Sequence, residues 1–216
     1  KNKTATGDVV TTIEPTVQSQ LESIIGRVQN KWSSDAVGGL IMDPRTGEII
    51  AMAHVPTFDL NEYGKETDVS VYSNPFAQNV YEMGSIIKPL VMAAALDAHV
   101  LTPQTTYTDK GFVVVQDRTF SNFDKKGRGL ATMQDVLNQS LNTGMVFVEQ
   151  KMGKETFKDY MLNRYHVGEK TGVDLPGEIN GITGGLKTPN DVNYASAALV
   201  HLRWSHLLLL GLDYRL

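Results

Sequence analysis

A β-hairpin with strong turn chemistry and the run of helical stretches that follows it predict an α+β chain. The hairpin lies in Val37 to Met42 and Ile49 to Ala53, two apolar runs joined by Asp43-Pro44-Arg45-Thr46-Gly47. The helical stretches include one after Ser85 that is apolar nearly all round. A helix of that kind is expected at the centre of a fold.

The elements follow in order. Asp8 to Glu14 is predicted as a strand, because Val9-Val10-Thr11-Thr12-Ile13 is rich in β-branched residues. Pro15 and Thr16 open a helix reaching about Trp32, with Val17, Leu21, Ile24, Ile25 and Val28 at helical spacing on one face. After the hairpin, residues 55–80 read as irregular. The apolar helix carries Leu90 to Leu96, and Pro89 is tolerated within its first turn. Phe112 to Val115 reads as a strand and Phe120 to Gly129 as a turn region. Thr132-Met133-Gln134-Asp135 has the form of a capping box opening a helix that ends near Ser140. Further helices are predicted from Gly144 and around Glu155 to Arg164. A glycine-rich loop from Gly168 to Gly185 precedes a helix start at Thr188-Pro189-Asn190-Asp191.

Bulk properties exclude several function classes. The 216 residues allow a sizeable core, and a net charge of −4 with no basic run argues against nucleic-acid binding. With no cysteine there are no disulfides or thiolate metal sites, which fits an oxidising compartment. The five histidines lack metal-ligand spacing, so no metal is expected. Asp59, Asp109, Asp124 and Asp174 fall in turn-like contexts and are expected to act as turn and cap residues. The run Leu207-Leu208-Leu209-Leu210-Gly211-Leu212 is far shorter than the roughly 20 residues a membrane span needs. The chain starts at Lys1 rather than methionine and reads as part of a longer product.

Chemistry concentrates in Gly84-Ser85-Ile86-Ile87-Lys88. Residues three apart on a helix share a face, so Lys88 can sit beside the Ser85 oxygen and take its proton. The helix N-terminus offers unpaired N–H groups to the alkoxide. The same spacing also arises as a surface serine beside a solvated lysine. Ser140-Leu141-Asn142 adds a hydroxyl able to relay a proton and a carboxamide able to hydrogen-bond Lys88 or a substrate amide. A plain helix cap at Asn142 satisfies that pattern equally.

Together these blocks resemble the class B penicillin-binding proteins, the serine D,D-transpeptidases that cross-link peptidoglycan. Gly47 to Ala53, Pro56 to Tyr63, Asn79 to Glu82, Ser140 to Met145 and Gly168 to Glu178 resemble family segments in the family's order, from about Gly7 to Ala198. The class B assignment rests on the Pro56 to Tyr63 loop. The resemblance implies the penicillin-binding transpeptidase fold, helices on an antiparallel sheet. It also implies that Ser85 attacks the penultimate D-alanine carbonyl of a stem peptide, with Lys88 as base. Ser140 assists proton transfer, Asn142 binds substrate, and the implied reaction needs no metal or organic cofactor. The implied partners are peptidoglycan stem peptides, β-lactams, and proteins of cell division or elongation. The implied place is outside the cytoplasm, with membrane attachment through an anchor in the parent protein.

The pattern departs from the family in three places. Met83 stands where the family has proline. Lys170-Thr171-Gly172 is not the family's third motif, Lys-Thr/Ser-Gly, because it lies too soon after Asn142 and continues as the separate Gly168 to Glu178 segment. No other such string occurs, so this chain is expected to catalyse poorly, truncated before the third-motif strand. After Ala198 the likeness stops. Residues 1–198 are therefore read as a partial transpeptidase domain and 199–216 as a non-matching tail, either a natural tail or, in the preferred reading, the product of a reading frame lost near 198. Translating the same DNA in the other two frames is expected to recover a Phe-Gly-Gln-Gly-like segment. Competing readings are a serine β-lactamase or β-lactam sensor, which share the serine–lysine pair, and a non-catalytic cell-wall or division module.

Overall fold

The computed structural model describes residues 7–187, 191–199 and 203–204. They fall into two compact units, one ending at Pro75 and one beginning at Phe76.

In the first unit, helix α1 (Pro15–Trp32) begins with Pro15 in its first turn, and the Glu14 carboxylate accepts from Val17 N at its N-terminus. It packs against the antiparallel hairpin β1 (Val37–Met42) and β2 (Ile49–Val55), whose register pairs Gly39 with Ala53. A methyl group at Gly39 would meet Leu21 Cδ1 at 2.9 Å, so the missing side chain admits the helix. Ile25 is buried, whereas Ile24 and Val28 of the predicted stripe face solvent. Gln18 closes the contact by pairing both the N–H and the carbonyl of Met52.

The predicted strand at Asp8 to Glu14 is not one. The segment is tied to β2 by Thr12 Oγ1 donating to Ile49 O and Glu14 N donating to Ile50 O. Val9 and Val10 stand in solvent. β-Branched residues favour a pleated, half-buried surface, and here the surface to pack on is lacking.

The second unit opens in the short helix α2 (Pro75–Gln78) and strand β3 (Tyr81–Glu82). A 3-10 turn, Gly84–Ile87, then leads into α3 (Lys88–Asp97). α3 buries Val91, Met92, Ala94 and Ala95, as its composition predicts. Four short strands follow: β4 (Thr106–Asp109), β5 (Phe112–Val115), β6 (Arg118–Ser121) and β7 (Gly129–Thr132). They form two antiparallel pairs, β4 with β7 and β5 with β6. Only β5 was predicted; residues 120–129, read as a turn region, contain the ends of β6 and β7.

The Thr132–Asp135 capping box is present and starts α4 (Met133–Asn138). Helix α5 (Asn142–Met152) packs on α3 and on α8 (Asp191–Leu199). Between them lie α6 (Lys154–Lys158), a π-helical turn (Asp159–Arg164) and α7 (Gly184–Lys187). The predicted helix start at Thr188 to Asn190 lies outside the described residues.

Lys170-Thr171-Gly172 sits in a loop rather than a strand, where the Glu178 carboxylate accepts from Thr171 N, Thr171 Oγ1 and Gly172 N. Residues 200–202 and 205–216 of the predicted tail lie outside the described residues. The backbone of β8 (Arg203–Trp204) pairs antiparallel with β3.

Candidate active site

Gly84 adopts φ +65°, a left-handed conformation that non-glycine residues rarely take, and it turns the chain from β3 into the 3-10 turn. Ser85 is exposed in that turn, and Lys88 is the first residue of α3. In 3-10 geometry side chains three apart eclipse one another. Ser85 and Lys88 therefore leave the backbone on the same side, as predicted. Lys88 runs inward and is only 2% exposed.

Lys88 Nζ donates to Ser140 O at 2.8 Å, to Ser140 Oγ at 3.0 Å and to Asn142 Oδ1 at 2.7 Å. An ammonium has three protons, and all three are taken. Ser140 Oγ in turn donates to Ser85 Oγ at 3.0 Å. The sequence predicts direct contact between Lys88 and Ser85; in the structure the connection runs through the Ser140 hydroxyl. All four predicted residues meet in one cluster.

Burial pushes the Lys88 amine down from 10.5 to about 8. Desolvation disfavours the charged form, and neutral acceptors offset only part of that penalty. Such an amine sheds its proton close to physiological pH and can serve as a base. With hydroxyl rotors reversed, Ser85 O–H donates to Ser140 and Ser140 O–H donates to neutral Nζ, a two-step proton path.

The chain spends backbone strain to hold this arrangement. α4 ends in a Schellman motif, with Leu141 N donating to Val136 O and Ser140 N donating to Leu137 O. Ser140 occupies the left-handed position of that motif at φ +53°, where glycine is usual. The turn aims both Ser140 oxygens at Nζ. A serine in a slot made for glycine, directly before a helix, is a sequence signal that the periodicity reading does not register.

Asn142 opens α5, but no side-chain cap bond is made at that helix start. Its Oδ1 takes a Lys88 proton, and its Nδ2 donates to Ser121 O at 2.8 Å. The capping alternative for Asn142 is therefore not what the side chain does. The Ser121 carbonyl is a contributor that no motif announced. Gly144 lets α5 approach α4, since a methyl there would lie 2.3 Å from Val136 Cγ2 and 2.9 Å from the Tyr107 hydroxyl. Among the described residues, no group of three or more His, Cys, Asp or Glu side chains is placed to hold a metal.

Residues 37–199 match the family described as the penicillin binding protein transpeptidase domain. Stage V sporulation protein D of Bacillus subtilis is 33% identical over 88% of this chain and 30% of its own length. The peptidoglycan D,D-transpeptidase MrdA of Escherichia coli is 26% identical over 81% of this chain and 28% of its own. The chain thus spans about 30% of the curated relatives it matches. Among solved structures, the transpeptidase domain of Burkholderia pseudomallei penicillin-binding protein 3 superimposes with a TM-score of 0.75 at 23% identity, covering 90% of this chain and 54% of that one. A peptidoglycan glycosyltransferase from Burkholderia ambifaria gives 0.77 at 24%, covering 90% and 56%.

Proposed function

The chain belongs to the transpeptidase-domain family of penicillin-binding proteins, and on that footing we propose that its serine cluster forms an acyl-enzyme from the D-Ala-D-Ala end of a peptidoglycan stem peptide. The observation that carries this reading is the unbroken hydrogen-bond path from Ser85 Oγ through Ser140 Oγ to a buried, lowered-pKa Lys88.

Ser85 Oγ attacks the carbonyl of the penultimate D-alanine while its proton passes through Ser140 to Nζ. The tetrahedral intermediate collapses as the terminal D-alanine leaves, taking a proton back along the same path. A second stem peptide's amine then displaces the Ser85 ester, completing the cross-link and restoring the hydroxyl. A β-lactam carbonyl enters the first step and leaves its opened ring on Ser85. Asn142 holds Lys88 through Oδ1 and, in this reading, binds a substrate amide.

Family members are cell-wall synthesis enzymes that act outside the cytoplasm. A membrane anchor and cell-division or elongation partners belong to the same proposal for the longer protein. Among the described residues, no helix is long and apolar enough to cross a membrane. The sequence lacks a usable Lys-Thr/Ser-Gly motif, so acylation by this chain is expected to be slow, since one lost oxyanion donor typically costs 10²–10³ in rate.

The test is a fluorescent penicillin on this chain and on the full-length parent. A covalent label on the parent, absent from Ser85→Ala, is the expected result. A folded parent that takes no label at Ser85 overturns the reading and favours a binding module. Rapid turnover with release of hydrolysed drug favours a β-lactamase.

A further inference from the structure

A carboxamide looks much the same to a cavity in either of its two flipped orientations, and only its partners decide between them. At Asn142 the flip would set Nδ2 against the Lys88 ammonium and Oδ1 against the Ser121 carbonyl. The productive orientation is therefore held from two sides, by the Lys88 ammonium at Oδ1 and by the Ser121 carbonyl at Nδ2.

That carbonyl belongs to the peptide joining Ser121 to Asn122, and its far side is pinned by Asn122 N donating to Gly111 O at 3.0 Å. The Asn122 side chain is 3% exposed and fully engaged. Its Nδ2 donates to both Asp109 oxygens, at 3.1 and 2.9 Å, and to Lys126 O at 3.1 Å. Its Oδ1 accepts from Thr143 N at 3.2 Å. Thr143, beside Asn142 and 4% exposed, donates its hydroxyl to Asp109 Oδ1 at 2.7 Å, with Tyr107 OH 3.1 Å away. Asp109, 2% exposed, also accepts from Gly111 N and Arg128 N. The turn role expected of Asp109 is thus one part of a larger one.

Two neighbouring pairs, Ser121-Asn122 and Asn142-Thr143, are therefore bound to each other twice. One link is the Asn142 carboxamide itself. The other is the buried Thr143–Asp109–Asn122 hub one residue further along each segment. The hub ties the end of β6 to the start of α5 through buried polar groups. Fully satisfied buried polar networks hold one geometry, because every alternative strands a polar group in low dielectric.

We propose that Thr143, acting with Asp109 and Asn122, is a positioning residue that locks the Asn142 carboxamide against Ser121 O and so keeps Lys88 aligned in the proton path. The catalytic side of this role rests on the acyl-transfer reading above, whereas the lock itself can be read independently.

The test compares Thr143→Val with Thr143→Ser. The Asn142 side-chain ¹⁵N–¹H₂ resonances, identified by their loss in Asn142→Ala, report solvent exchange of the Nδ2 protons. Thr143→Val is expected to speed that exchange about tenfold or more under conditions where the protein is folded. Thr143→Ser is expected to restore the wild-type rate. The fluorescent-penicillin acylation rate constant should fall about 10- to 100-fold in Thr143→Val and recover in Thr143→Ser, since small misplacements carry losses of that size. Reaction amplitude separates the two roles: a merely structural effect lowers the reactive fraction and leaves the rate constant of that fraction unchanged. If Thr143→Val does not fold, Asp109→Asn replaces it, setting a donor where the hub supplies donors. Wild-type carboxamide exchange in the folded variant, or failure of Thr143→Ser to rescue, overturns the proposal. Absence of acylation in every protein, wild type included, sinks the acyl-transfer reading and leaves the exchange measurement to decide the lock.

Discussion

Ser140 carries two burdens that substitution can separate. Its φ of +53° places a side-chain-bearing residue in the left-handed region, and its hydroxyl bridges Ser85 to Lys88. Ser140→Ala and Ser140→Gly both delete the bridge, so the lost hydrogen bonds cancel when the two variants are compared. They differ in backbone alone. The Cβ penalty in this region is about 1–2 kcal/mol. Glycine's greater freedom in the unfolded chain returns roughly 0.4–1 kcal/mol of that. Ser140→Gly should therefore be more stable than Ser140→Ala by about 1 kcal/mol, or about 2–4 °C in melting temperature at this chain length. Urea unfolding of both variants measures the difference. Both should also acylate with a fluorescent penicillin about 10²- to 10⁴-fold more slowly than wild type, the usual range for a lost proton-transfer group. A glycine variant no more stable than the alanine variant would refute the strain argument. Wild-type acylation in either would refute the relay.

Acylation should rise with pH through a midpoint of about 8, as Lys88 loses its proton and becomes a base; stopped-flow labelling from pH 6 to 10 shows this, and a flat profile counts against Lys88. Burial raises the Glu149 carboxyl from 4.5 to about 7, with Asp191 adding to the shift and Lys154 opposing it. Between those values the native acid keeps a proton that the unfolded chain has released, so stability falls as pH rises, by roughly 3 kcal/mol in all above pH 7. Glu149→Gln should gain that much on wild type at pH 8 relative to pH 4.5, and an equal difference at both pH values would rule the titration out. Gly144→Ala should destabilise by about 1–3 kcal/mol through overpacking against Val136, with part recovered in the Val136→Ala double variant; additive losses would place the strain elsewhere. Lys170→Ala should leave acylation unchanged, and a large loss would restore Lys170-Thr171-Gly172 as the third motif.

The sequence made the locally encoded parts legible. Pro15 at a helix start, the Asp43–Gly47 turn and the Thr132–Asp135 box each determine structure within a few residues, and α1, the hairpin and α4 fall where those signals put them. Ser85, Lys88, Ser140 and Asn142 were readable because each motif keeps its own members adjacent. Strands β4, β6 and β7 span four residues each, too few to display a period, and unlike β5 with its Val113-Val114-Val115 they carry no apolar β-branched run. Asp8 to Glu14 failed in the opposite sense, having propensity without a surface. The Asp109 hub was invisible because Asp109, Asn122 and Thr143 come from three segments that only tertiary pairing unites. The Ser140 bridge was hidden because spacing predicts which side chains share a face, and not which hydroxyl comes between them.

The placing of Ser140 between an exposed oxygen and a buried amine has a chemical consequence. Once acylated, Ser85 carries an ester that a nearby free amine could capture, and an acyl shift from oxygen to nitrogen would yield an amide too inert to release. The Lys88 amine of the same cluster is a nitrogen of that kind, yet it lies beneath the surface with its protons committed and the Ser140 hydroxyl bridging the two. The geometry lets a proton travel between the two side chains while barring the carbonyl carbon from following it.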